Sequence, residues 1–287
     1  MPDGTRRSAA AFRSAHYGLV GLVARRRTCQ VGLSTWVGHP VESQSNGGFN
    51  AVPFLEDTNR IMALADTITF EVHGTPTAGY LASPETGGTG QAVVVVHEWW
   101  GLNEHTRDIA RRWADAGFVA LAPDLYRGVV TTDPAEASKL MHGLSAEDGV
   151  ETLDAAVLRL AEAPGVDPDR IGVTGYCMGG SFALLLACRN RTIKAAAPFY
   201  GDIPDDPDIA MLTAPVLFIG ASLDGWITVE KMNGLREALA RHGKSGEVKI
   251  YEGADHAFFN DTRPAVYNAE AATDAWQRVT DFFRTAL

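Results

Sequence analysis

From Asp66 onward the chain alternates short, unbroken apolar runs with segments of helical length, and this alternation limits what it can fold into. The apolar runs cover 92–97, 118–123, 171–175, 195–200, 215–220 and 248–251. A strand with one wet face alternates apolar with polar residues, whereas these runs do not. They suit strands of a parallel sheet buried on both sides. Helical patterns at 104–116, 135–142, 146–163, 178–187, 229–241 and 264–284 separate or follow them. Two further strands, 67–73 and 77–83, flank a Gly74-Thr75-Pro76 turn. The expected fold class is α/β: a mostly parallel central sheet flanked by helices on both faces, joined by right-handed crossovers.

Bulk properties narrow the function classes. At 287 residues and 46% hydrophobic, the chain can build one sizeable domain. A net charge of -10 argues against a nucleic-acid partner, which calls for a basic face. No apolar run reaches the roughly 18–20 residues of a membrane span. Three cysteines (Cys29, Cys177, Cys188) without a CxxC pair argue against a disulfide framework or a structural zinc, and fit reduced thiols in the cytoplasm. The first 27 residues hold six Arg and one acid. An export signal would not place Arg25–Arg27 after its apolar stretch, and a transit peptide is the weaker alternative. Residues 1–61 therefore read as a flexible extension, with Met62 opening a domain at 62–287.

The segment most informative for chemistry is Gly175-Tyr176-Cys177-Met178-Gly179-Gly180, between an expected strand and an expected helix. A sharp strand-to-helix turn that exposes a nucleophile needs small residues two before and two after it. The helix N-terminus favours negative charge on sulfur, the attacking form. The competing reading is a buried cysteine in a Gly-rich turn. Downstream, Asp224 lies in a small-residue turn after a strand, and His256 follows Glu252-Gly-Ala-Asp after another. Taken singly, Asp224 reads as a helix cap and His256 as a loop residue, with Asp255 and Asp261 as rival acids. Three members in the order nucleophile, acid, histidine, each just past a strand, point to a catalytic triad. Backbone N–H groups near Trp99 and at Met178 are placed to hold an oxyanion. A zinc reading of His97-Glu98 lacks a second histidine at the required gap.

Together with Ala122-Pro123-Asp124-Leu125-Tyr126 and His256-Ala257-Phe258-Phe259, the segments His97-Glu98-Trp99-Trp100-Gly101 and 175–180 resemble the dienelactone hydrolase family over about residues 66–286. That resemblance implies an α/β-hydrolase fold with Cys177, Asp224 and His256 as triad and Trp99 and Met178 as oxyanion donors. It also implies that Glu98 takes the thiol proton when substrate arrives, and that no cofactor takes part. The family's namesake carries an arginine four residues after the catalytic histidine; here that position is Asn260, and the nearest arginine is Arg263. Arg127 and Arg263 are the candidate cations for a substrate carboxylate, weighed against solvated loop charges. Trp100, Tyr126, Tyr176, Tyr200 and Phe258 are expected around the substrate. Cys188, after three leucines in a helix, reads as core.

The leading expectation is hydrolysis of a small carboxylic ester or lactone through an acyl-thioester, by a monomer or small homo-oligomer. The alternatives are a general carboxylesterase or thioesterase on the same scaffold, and a non-catalytic binding homologue. A complete triad argues against the last.

Overall fold

The computed structural model describes residues 64–287. The expected extension at 1–61 lies outside the described residues. Eight strands form one sheet: β1 (Leu64–Val72), β2 (Thr75–Ser83), β3 (Ala92–Val96), β4 (Val119–Pro123), β5 (Ile171–Tyr176), β6 (Ala195–Phe199), β7 (Val216–Ala221) and β8 (Gly246–Tyr251). Their spatial order is β1-β2-β4-β3-β5-β6-β7-β8. β2 runs antiparallel to both β1 and β4; all other pairs are parallel. The seven helices are α1 (Glu104–Asp115), α2 (Pro134–Gly143), α3 (Ala146–Ala161), α4 (Met178–Arg189), α5 (Asp206–Met211), α6 (Val229–Arg241) and α7 (Ala269–Ala286).

The valines of β3 show why the sheet is sandwiched. All five residues of Ala92–Val96 are buried, and successive side chains of a strand point to opposite faces. Val94 and Val96 pack into a cluster with Leu153 of α3, Leu184 of α4 and Leu235 of α6. Val93 and Val95 pack with Ile109 of α1 and Val279 and Phe283 of α7. Each face needs an apolar helix stripe over it, which explains the unbroken valine run.

Helix starts follow local capping chemistry. The side chains of Asn103, Asp133, Ser145, Thr228 and Asn268 each accept a hydrogen bond from an N–H of the first turn. The last helix corrects the expected 264–284. Val266 and Tyr267 donate instead to the Arg263 carbonyl in a turn, and α7 starts only where Asn268 supplies a cap. The short α5, begun at Asp206-Pro207, lies between β6 and β7, where no helical pattern was expected. No helix among the described residues is long and apolar enough to cross a membrane.

The topology prepares a site. β4 lies on one side of β3 and β5 on the other, so the chain reverses its winding there. A crevice opens at the carboxyl ends of such strands. Val96 pairs with Gly175, which brings Glu98 and Cys177 off the sheet on neighbouring strands.

Candidate active site

Cys177 occupies the turn between β5 and α4 at φ 55° and ψ -120°. A side chain in the left-handed region costs on the order of 1–3 kcal/mol and persists only where its surroundings enforce it. Here the enforcement is close backbone packing. A Cβ on Gly175 would run into the Gly179 carbonyl, and one on Gly179 into the carbonyls of Val96 and His97. The Cys177 N–H donates to the Phe199 carbonyl at 3.1 Å, and its own carbonyl accepts from Gly180 at 2.9 Å. The sulfur is left partly exposed at the N-terminus of a 12-residue helix. Tyr200 (φ 37°) and Ala257 (φ 62°) add two further strained positions beside it.

Asp224 and His256 meet across the loops after β7 and β8. Asp224 Oδ2 lies 2.6 Å from His256 Nδ1. Asp224 Oδ1 accepts from the N–H groups of Trp226 (2.8 Å) and Ile227 (2.9 Å). Burial pushes the Asp224 carboxyl up, but the His256 bond and charge and these two N–H groups hold it below the usual carboxylate range. Burial pulls His256 down, and the Asp224 bond together with the nearby Cys177 more than reverses this, raising it to about 10. His256 Nε2 is buried with no hydrogen-bond partner among the described residues, and Cys177 is near enough to raise the imidazole. Asp255 and Asp261 are placed otherwise. Asp255 accepts from the His256 backbone N–H, while Asp261 pairs with Arg112 and His105.

Glu98 adds a second acid–base group. It is 3% exposed; Oε2 accepts from Asn260 Nδ2 at 2.8 Å, and Oε1 has no partner. Burial raises its carboxyl above the usual range, offset in part by the Asn260 bond and the charges of Arg263 and His256. An uncharged amide thus stands where the family's namesake has a cation, and Asn260 is itself anchored by Thr262 N–H and Oγ1.

A cavity of about 300 Å³ is lined by Glu98, Trp99, Trp100, Cys177, Trp226, His256 and Arg263, among others. Trp99 and Trp100 meet edge to face at 4.8 Å, and the Arg263 guanidinium sits 5.9 Å from the Trp100 ring centre. Of the residues expected around a substrate, Trp100 and Arg263 are on its wall. Tyr126, Tyr176, Tyr200 and Phe258 are buried and off that wall. Tyr176 stacks on Phe259 at 5.2 Å, Phe258 packs on Tyr251, and Tyr126 directs its hydroxyl to the Met178 sulfur at 3.0 Å. Tyr200 lies against the His256 ring at 5.1 Å. Arg127 is exposed and outside the cavity. Sequence reasoning missed Trp226, 59% exposed yet edge-on to His256 at 4.9 Å. Its place two residues after Asp224 was the available signal. Cys188 is buried in the core, which raises its thiol to about 12. Among the described residues no cluster of three or more His, Cys, Asp or Glu is arranged to hold a metal.

Comparison with known proteins identifies the family. The dienelactone hydrolase family model matches residues 77–287. Protein usf of Aquifex pyrophilus is 35% identical over 234 residues, covering 78% of this chain and 100% of its own. A protein of Aquifex aeolicus (strain VF5), provisionally named a carboxymethylenebutenolidase, is 34% identical over 233 residues, with coverage of 78% and 100%. The crystal structure of a provisionally named dienelactone hydrolase from Klebsiella pneumoniae superposes with a TM-score of 0.73 at 31% identity, covering 77% of this chain and 98% of that one. The chain belongs to the dienelactone hydrolase family, within the α/β-hydrolase superfamily.

Proposed function

We propose that the protein hydrolyses a small carboxylic ester or lactone through an acyl-thioester on Cys177. The observation that carries this reading is the 2.6 Å contact between Asp224 and His256 Nδ1. It leaves Nε2 free of any other partner among the described residues, beside a sulfur held at a strained elbow. The Cys177 sulfur attacks the carbonyl carbon; a C–S bond forms while the carbonyl π pair moves onto oxygen. The N–H groups of Trp99 and Met178, for which the turn and cap hydrogen bonds among the described residues supply no acceptor, receive that oxyanion. His256 holds the thiol proton and passes it to the departing alkoxide, which stays tethered if the substrate is a lactone. Water then attacks the thioester with His256 taking its proton, the C–S bond breaks, and the sulfur recovers a proton from His256.

Glu98 is the second group able to take the thiol proton, its affinity raised by burial. The cavity, about 300 Å³ and walled by three tryptophans, is at the small end of ligand pockets, which favours a compact acyl group. Activity on p-nitrophenyl acetate and on a dienelactone tests the reading. Cys177→Ala is expected to abolish both at unchanged fold, while retention of either activity contradicts the assignment. A lactone hydrolysed much faster than the acetate, relative to a Cys177→Ser variant, separates lactonase from general esterase.

A further inference from the structure

His97 takes no part in the proton transfers above, yet its ring is wholly buried and both nitrogens are engaged. Nδ1 lies 2.6 Å from the Glu98 carbonyl oxygen, and the Leu125 N–H donates to Nε2 at 3.1 Å. A carbonyl only accepts and a backbone N–H only donates, so one tautomer satisfies both: proton on Nδ1, none on Nε2. Protonating both nitrogens would set an N–H against the Leu125 N–H, and burial likewise pulls the imidazole below its ordinary value.

The consequence lies in the peptide unit that His97 grips. No peptide bond among the described residues is cis, and in a trans unit the N–H points opposite to the C=O. The Glu98 carbonyl is held by the His97 ring and, at 3.3 Å, by the Gly101 N–H. The N–H of the same unit belongs to Trp99, on the wall of the cavity that holds Cys177. The ring also meets Tyr126 edge to face at 5.1 Å, and Tyr126 reaches the sulfur of Met178. One imidazole therefore braces the loop after β3 and the loop after β4, and through Tyr126 touches the residue that carries the other oxyanion donor.

We propose that His97 is a positioning residue that locks the Glu98–Trp99 peptide so that the Trp99 N–H faces the developing oxyanion. The proposal rests on the reading of Trp99 as an oxyanion donor. An asparagine amide reaches about as far as His97 Nδ1 and keeps the donor to the Glu98 carbonyl. A glutamine reaches about as far as Nε2 and keeps only the contact to Leu125. In His97→Gln we expect kcat on p-nitrophenyl acetate to fall ~30-fold with KM within ~3-fold, short of the 10²–10³ for complete loss of a donor. In His97→Asn kcat stays within ~5-fold of the parent, since the donor is preserved. Equal losses in both variants, or an unimpaired His97→Gln beside an inactive Cys177→Ala, overturn the proposal. Should either variant fail to fold, ¹⁵N shifts of the imidazole in the unsubstituted protein decide. Protonated Nδ1 is expected, and protonated Nε2 refutes it. An active Cys177→Ala instead strikes the hydrolase reading and leaves the tautomer result standing.

Discussion

Replacing Asp224 with asparagine changes one atom pair, and the structure dictates the consequence. Oδ1 accepts two backbone N–H bonds, from Trp226 and Ile227. In Asp224→Asn the amide oxygen must keep those bonds, because an amide NH₂ there would face two donors in a buried loop. The NH₂ is then directed at His256 Nδ1, which is forced to accept and sends its proton to Nε2. In the parent Nε2 carries the proton given up by Cys177, whereas a neutral ring whose own proton already sits on Nε2 has no site left for it. In a serine protease the same acid-to-amide change costs about ten-thousand-fold in kcat with geometry intact. For the thiol we expect a loss of about 10³–10⁴, or ~4–5.5 kcal/mol of barrier. Steady-state hydrolysis of p-nitrophenyl acetate at pH 7 reads kcat, and near-ultraviolet circular dichroism checks the fold. A folded Asp224→Asn enzyme within about tenfold of the parent would refute the reasoning, since the carboxylate would then not set the tautomer.

Two other predictions address stability. Gly179→Ala places a methyl against the Val96 and His97 carbonyls. Backbone cannot yield as a side chain tip does, so urea unfolding should show a loss of about 3 kcal/mol or more; a loss below about 1 kcal/mol would mean the elbow is looser than its packing indicates. Folded His256 keeps its proton to about 10, while the unfolded chain releases it near 6.5. Between those values the folded state binds more protons, so stability falls as pH rises, and His256→Gln flattens that slope. Asp224 acts at the other end: its lowered carboxyl stabilises the fold above its ordinary value of 3.8, and that contribution is lost as pH falls below it. Urea midpoints from pH 3 to 10 check both limbs; a parent protein with no alkaline decline contradicts the His256 assignment.

The sheet was legible because its central strands have no polar face: the valines of β3 and the alanines of β6 permit burial on both sides and little else. The elbow was legible because glycine at 175 and 179 answers a steric demand written locally. Asp224 and His256 stood out by their order after strands, although only coordinates show that the carboxylate reaches Nδ1. What failed to show in the sequence depends on direction. Tyr126, Tyr176, Tyr200 and Phe258 all lie at or past strand ends near the site, but each is buried and none lines the cavity. Nothing local tells a tyrosine which way it faces at a strand end. The Glu98–Asn260 bond spans 162 positions, and the expected start of the last helix at Pro264 gives way to the Asn268 cap because of the turn at Arg263.

The most direct test of covalent catalysis by this thiol is rapid-quench mass spectrometry of the protein during turnover of an activated ester. One acyl group carried by the peptide containing Cys177, appearing and decaying at rates compatible with kcat, is the predicted result. Turnover with no acylated protein at any time point, or an acyl group on another residue, would contradict it.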